Sequence, residues 1–142
     1  MTHVDLLTLG AAETSAVVLK TAKGAKLIGE DKQPVIITLF GPGSDQFEDA
    51  SQARLDRQIE RRRIRGDAPL TGAEIREDSA QFLADVTHSA SANFSIEPDG
   101  RPLQTSEDFV KLYSHKPLGY IYEQLTRVLN DWSNFTPGSV TS

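Results

Sequence analysis

Cysteine is absent from the 142 residues. That excludes a disulfide scaffold and the common thiolate-held zinc and iron–sulfur centres, so cohesion has to come from packing. No apolar run approaches the roughly 20 residues needed to span a bilayer. Residues 1 to 20 lack a basic start followed by a hydrophobic core, so the chain reads as soluble and cytosolic. Basic residues are outnumbered, 15 against 20 acidic, and the net charge of -5 argues against nonspecific nucleic-acid binding by the chain as a whole. Histidine occurs three times, as His3, His88 and His115, with no HxxxH or HxH spacing, so no metal site is expected. There is no internal repeat and no low-complexity tract.

What the chain does have is one strongly one-sided helix. In Pro117 to Trp132, the residues Leu118, Ile121, Tyr122, Leu125, Val128, Leu129 and Trp132 recur at three- and four-residue spacing. Glu123, Gln124, Arg127, Asn130 and Asp131 fill the other face, and Pro117 suits a first helical position, where its missing N–H loses nothing. Such a stripe must be covered by a sheet, by other helices or by a partner.

Upstream, the pattern is extended from Ser15. AVVLK, a break at KGAKLIGEDKQ, and PVIITLF over Pro34 to Phe40 predict two or three antiparallel strands. The last is apolar on both faces and reads as central. GPGSD at 41–45 ends it. Ser44 or Asp45 then caps a helix whose apolar stripe is Phe47, Ser51, Leu55 and Ile59, with Asp45, Glu48 and Asp49 near its start and Arg61, Arg62, Arg63 and Arg65 at its end, as the helix dipole favours. Thr71 and Glu74 form a capping-box signature for a third periodic segment with Ile75, Phe82, Leu83, Val86 and Ala90 on its buried face. Phe94 and Ile96, a Pro98-Asp99-Gly100 turn, and Leu103 predict a second short hairpin. Thr105 to Ser114 is a short helix. The expected fold is α+β: a small antiparallel hairpin region near the N-terminus, then a mostly helical body of about four helices. Residues 1–14 form an arm that is strand, helix or a segment laid on a neighbouring subunit, 15–135 one domain, and 136–142 a mobile polar tail.

Motifs for chemistry are few. GPGS lies between a strand and a helix, but no lysine follows the serine and neither Walker nor dinucleotide spacing is met, so it reads as a turn and cap. Asp85, His88 and Ser89 are close in sequence, but neighbours on one helix point along it rather than converging on a substrate. No catalytic residue, cofactor or metal is expected. Six arginines between Arg54 and Arg65 suit a solvated helix end, an acidic protein partner or phosphate. Among them Arg54, Arg57 and Arg61, at three- and four-residue spacing on one side, are expected to serve partner binding more than folding. Trp132 and Phe135 are either core residues or partner anchors.

The order of elements, with Gly41, Ser44 and Phe47 around the strand-to-helix turn, the RRR run at 61–63, and Trp132, Asn134 and Phe135 near the end, resembles the tail assembly chaperones of long-tailed bacteriophages and prophages over roughly residues 30 to 137. The resemblance implies a non-enzymatic protein of the host cytoplasm that binds the tape-measure protein, helps recruit tail tube subunits and often coexists with a longer frameshifted product. It also admits self-association, and it assigns no contact residue. The competing expectation is a structural tail or connector subunit retained in the particle. A regulator binding nucleic acid through the arginine helix is a third, against which the overall acidity argues.

Overall fold

The computed structural model describes residues 5–96, 100–136 and 140–141 and bears out the α+β class. Strand β1 (Thr14–Val18) pairs antiparallel with β2 (Ile36–Phe40), and β3 (Thr87–Ala90) pairs antiparallel on the other side of β2. A two-residue strand, β4 (Val140–Thr141), runs parallel to β1, giving the order β3-β2-β1-β4. β2 is therefore central, as its two-sided apolar pattern predicts. Between β1 and β2 the chain makes isolated antiparallel bridges, Lys20 with Lys26 and Ile28 with Pro34.

Four α-helices follow the turns their caps define. In α1 (Asp45–Arg65), Ser44 accepts from the Phe47 N–H at 3.2 Å and Gly66, at φ 67°, closes the other end. The capping box of Thr71 and Glu74 opens α2 (Gly72–Asp85), and a second, Thr105 with Asp108, opens α3 (Ser106–Ser114). The one-sided segment becomes a 3₁₀ turn at Lys116–Leu118, then α4 (Gly119–Leu129), then a 3₁₀ turn at Trp132–Asn134. One core joins Val17, Leu19, Val35, Ile37 and Leu39 of the sheet region to Leu83, Leu112, Ile121, Leu125, Leu129 and Phe135. Leu125→Ala in this closed core is expected to cost about 2–5 kcal/mol, read by chemical denaturation.

Four local expectations are corrected. The third periodic segment ends at Asp85, and Ala90 belongs to β3, where Thr87–Ala90 pairs with β2. The helix stops as Val86 closes it and the β-branched Thr87 joins the sheet, its hydroxyl donating back to the Leu83 carbonyl at 2.8 Å. No strand forms over 94–96 or 100–103; the turn residues Pro98 and Asp99 lie outside the described residues. Segment 91–96 instead spends its polar groups on the neighbouring loop, described below. Of the tail, Val140 and Thr141 are paired rather than free, covering part of the β1 edge, whose backbone groups would otherwise lack protein partners. Of the one-sided stripe, Trp132 is 58% exposed, because the helix ends three residues before it and the following 3₁₀ turn rotates it away.

Gln124, on the face opposite the apolar stripe, ties α4 to the sheet region. Its amide accepts from Lys20 N–H and donates to the Val18 carbonyl, both at 3.0 Å.

Candidate functional site

Two surface features concentrate side chains, a charged cleft between α1 and α2 and an apolar groove beside the sheet.

The cleft arises because α1 turns a different side inward than its apolar stripe predicts. Phe47 and Ala50 meet the body, but Leu55 and Ile59 are 48% and 59% exposed. The inward side continues as Arg54, Arg57 and Arg61. All three converge on Asp78 of α2, which is only 8% exposed: Arg54 Nε and Arg57 Nε each lie 2.9 Å from it, and Arg61 Nη2 lies at 3.5 Å. Arg57 also reaches Asp85 at 3.7 Å, and Arg54 stacks over the Phe82 ring, 4.9 Å from its centroid. Phe82 in turn meets Phe47 edge to face. Burial pushes the Asp78 carboxyl up. The hydrogen bond and charge of Arg57, then those of Arg54, outweigh it and hold the group below its usual 3.8. Farther out, Arg65 pairs with Glu74, and together with the Thr71 backbone it lowers that carboxyl to about 2.

The arginine trio expected to face a partner is thus an intramolecular network, a correction with a simple cause. The arginines have found the buried Asp78, with Asp85 beside it, across two helices, because a buried Asp78 without cations would be prohibitively costly. The sequence held one signal for it: Asp78 lies between Ile75 and Phe82 on the face read as buried. What remains open here is a cleft of about 370 Å³, lined by Arg61, Arg62, Asp67, Leu70 and Ile75 among others.

The groove is larger, about 1160 Å³, between residues 27–36 on one side and residues 91–96 with Gly100 and Pro102 on the other. Asn93 builds it. Its Nδ2 donates to Asp31 Oδ1 (3.1 Å), the Gln33 carbonyl (3.0 Å) and the Pro34 carbonyl (3.1 Å), while its Oδ1 accepts from Ser91 Oγ at 2.6 Å. Ser91 Oγ also accepts from the Ile36 N–H. Gly29 makes this fit, since a Cβ there would sit 2.6 Å from the Asn93 amide. Ser91 and Asn93 thus tie segment 91–96 to residues 31–36 in place of a hairpin partner. Beside the polar Glu30, Asp31, Gln33 and Ser95, the groove presents an apolar strip: Ile28, 50% exposed, with half-buried Ile36, Phe94 and Ile96. Sequence reading grouped Phe94 and Ile96 with a hairpin and missed that they line a groove.

Other singled-out residues stay apart. Ser44 donates to the Gly41 carbonyl at 2.7 Å and caps α1 as expected. His88 lies in β3 beside Ser89 Oγ at 2.8 Å and against Phe40, whereas the Asp85 carboxyl faces Gln81 and Arg57. His3 lies outside the described residues. Among the described residues, no group of three or more His, Asp or Glu is placed to hold one metal ion, and no helix is long and apolar enough to cross a membrane. Comparison with protein-family models, curated proteins and solved structures returns no match.

Proposed function

We propose that the protein is a non-enzymatic assembly chaperone that holds an extended or helical apolar segment of a client protein in the groove between residues 27–36 and residues 91–96. The observation that carries this reading is the apolar lining of exposed Ile28 with half-buried Phe94 and Ile96, gathered in one groove that the Asn93 bonds brace. The tape-measure protein of a long-tailed phage is the proposed client, with the tail tube protein recruited alongside it; the support is the resemblance set out above. Because Arg54, Arg57 and Arg61 are engaged with Asp78, capture falls to the groove, and charge contributes to encounter rather than grip.

The test is co-purification with co-expressed tape-measure protein. Ile28→Asp is expected to abolish capture while leaving the melting temperature within about 2 °C, since half of the side chain already faces solvent. Capture that survives Ile28→Asp and Phe94→Asp, in variants that melt normally, would defeat the groove reading.

A second reading, a tail or connector subunit retained in the particle, is favoured by the N-terminal arm. Its 3₁₀ turn, Leu6–Leu9, exposes Leu6, Leu7 and Leu9, the second at 90%, an arrangement suited to a neighbouring subunit. Stoichiometric presence in purified particles marks the subunit; absence marks the chaperone.

A further inference from the structure

The outer side of α1 carries a pattern that neither the fold nor the groove uses. Glu48, Gln52, Leu55, Ile59 and Arg62 are spaced by four, three, four and three residues, the spacing of a coiled-coil seam, and all five are exposed. Leu55 is the middle residue of the 21-residue helix. On either side of it the polarity reverses: Asp45, Glu48 and Asp49 lie in the first half and Arg61, Arg62, Arg63 and Arg65 in the second. The inward side of the same helix is already committed to Asp78, so this stripe is a separate face.

We infer that this stripe is the contact of a two-fold homodimer in which α1 packs antiparallel against α1 of a second copy. An antiparallel pair centred on Leu55 sets each residue against the one whose number brings the sum to 110. Leu55 then meets Leu55, Ile59 meets Ser51, and Glu48 meets Arg62 of the other copy, the last two twice over by symmetry. A two-fold contact requires a patch complementary to itself, and a helix acidic at one end, basic at the other and apolar at its centre satisfies this only in the antiparallel sense. A parallel pair would set Glu48 on Glu48 and Arg62 on Arg62. The helix dipoles also oppose favourably when antiparallel. Among the described residues, the ion pair that Arg62 has to give up is the solvent-exposed 3.9 Å approach to Asp67. With two apolar residues per copy the association is weak and concentration-dependent, so it is a dimer of a folded monomer rather than a condition for folding. The contact lies on a different face from the groove, and the inference stands independently of the proposed client.

Sedimentation equilibrium of the full chain over a wide concentration range tests it. The wild type is expected to rise from 15.6 kDa toward twice that mass. Leu55→Lys is expected to stay monomeric with unchanged melting, since the side chain is half exposed and Lys is a good helix former. Glu48→Arg alone and Arg62→Glu alone should each weaken the dimer roughly tenfold, and the two combined should restore it, because the exchanged charges face each other again. The rescue is the signature of the antiparallel register. It also guards against misreading a variant that merely frays the helix. A wild type that is monomeric throughout overturns the inference. So does a dimer indifferent to Leu55→Lys, or single charge changes that the double variant fails to rescue. Loss of client capture by Leu55→Lys in a monomeric wild type would assign the stripe to the client instead and likewise overturn the dimer.

Discussion

Phe135→Ala should lower the unfolding free energy by about 3–5 kcal/mol, the range for removing a fully buried phenylalanine. Phe135 is 0% exposed and closes the core from outside the helix that precedes it. Its ring lies so close to Gly41 that a Cβ there would stand 2.5 Å from Cδ1. Its backbone is held at both ends, the carbonyl accepting from Ala12 N–H at 2.7 Å and the N–H donating to the Trp132 carbonyl at 2.9 Å. The surroundings therefore cannot collapse into the space the ring leaves. Gly41→Ala alone should also destabilise, because its methyl must displace a buried ring rather than the tip of a flexible chain. Combined with Phe135→Ala, that methyl enters the vacated space, so the double variant should lose less than the sum of the two. Additive losses in a denaturation cycle would show that the ring and the turn do not share one packing site.

Asp78→Ala should cost about 3 kcal/mol, toward the lower end for breaking a buried ion pair, since the three guanidinium groups it strands are each a quarter to a third exposed and regain some water. Little apolar packing holds α1 beyond Ala50, so the loss should fall mainly on that helix, read as faster amide exchange over residues 54 to 65. Changing Arg54, Arg57 and Arg61 to Gln together should destabilise as well, which separates this structural role from a solvated arginine face. Acid repeats the experiment chemically. The carboxyls of Asp78 and Glu74 are both lower in the folded than in the unfolded chain, so their stabilisation is complete above the unfolded values of 3.8 and 4.5 and is lost as pH falls below them, for Glu74 through about 2. The melting temperature should hold from neutrality to about pH 5 and drop below it. In Asp78→Ala that drop should be smaller, and an identical drop would mean that Asp78 carries none of it.

By itself the sequence determined the α+β class, the central place of Ile36–Phe40, the turn that caps at Ser44 or Asp45, the capping box at Thr71, and the buried side of the closing helix through Leu129. These are local matters, decided by side-chain period, cap chemistry and the hydrophobic effect within one segment. Tertiary structure decided which side of α1 faces in. Its apolar stripe was thin, and a carboxylate 21 residues away from Arg57 outweighed two aliphatic residues, because leaving Asp78 buried and uncompensated costs more than leaving Leu55 and Ile59 half in water. It likewise decided that Thr87–Ala90 leaves a helical pattern to complete the sheet, that Val140 and Thr141 pair with β1, and that Asn93 props a groove where alternation suggested a hairpin. In each case the deciding partner lies well beyond the neighbouring turns of the chain, where neither period nor propensity reaches.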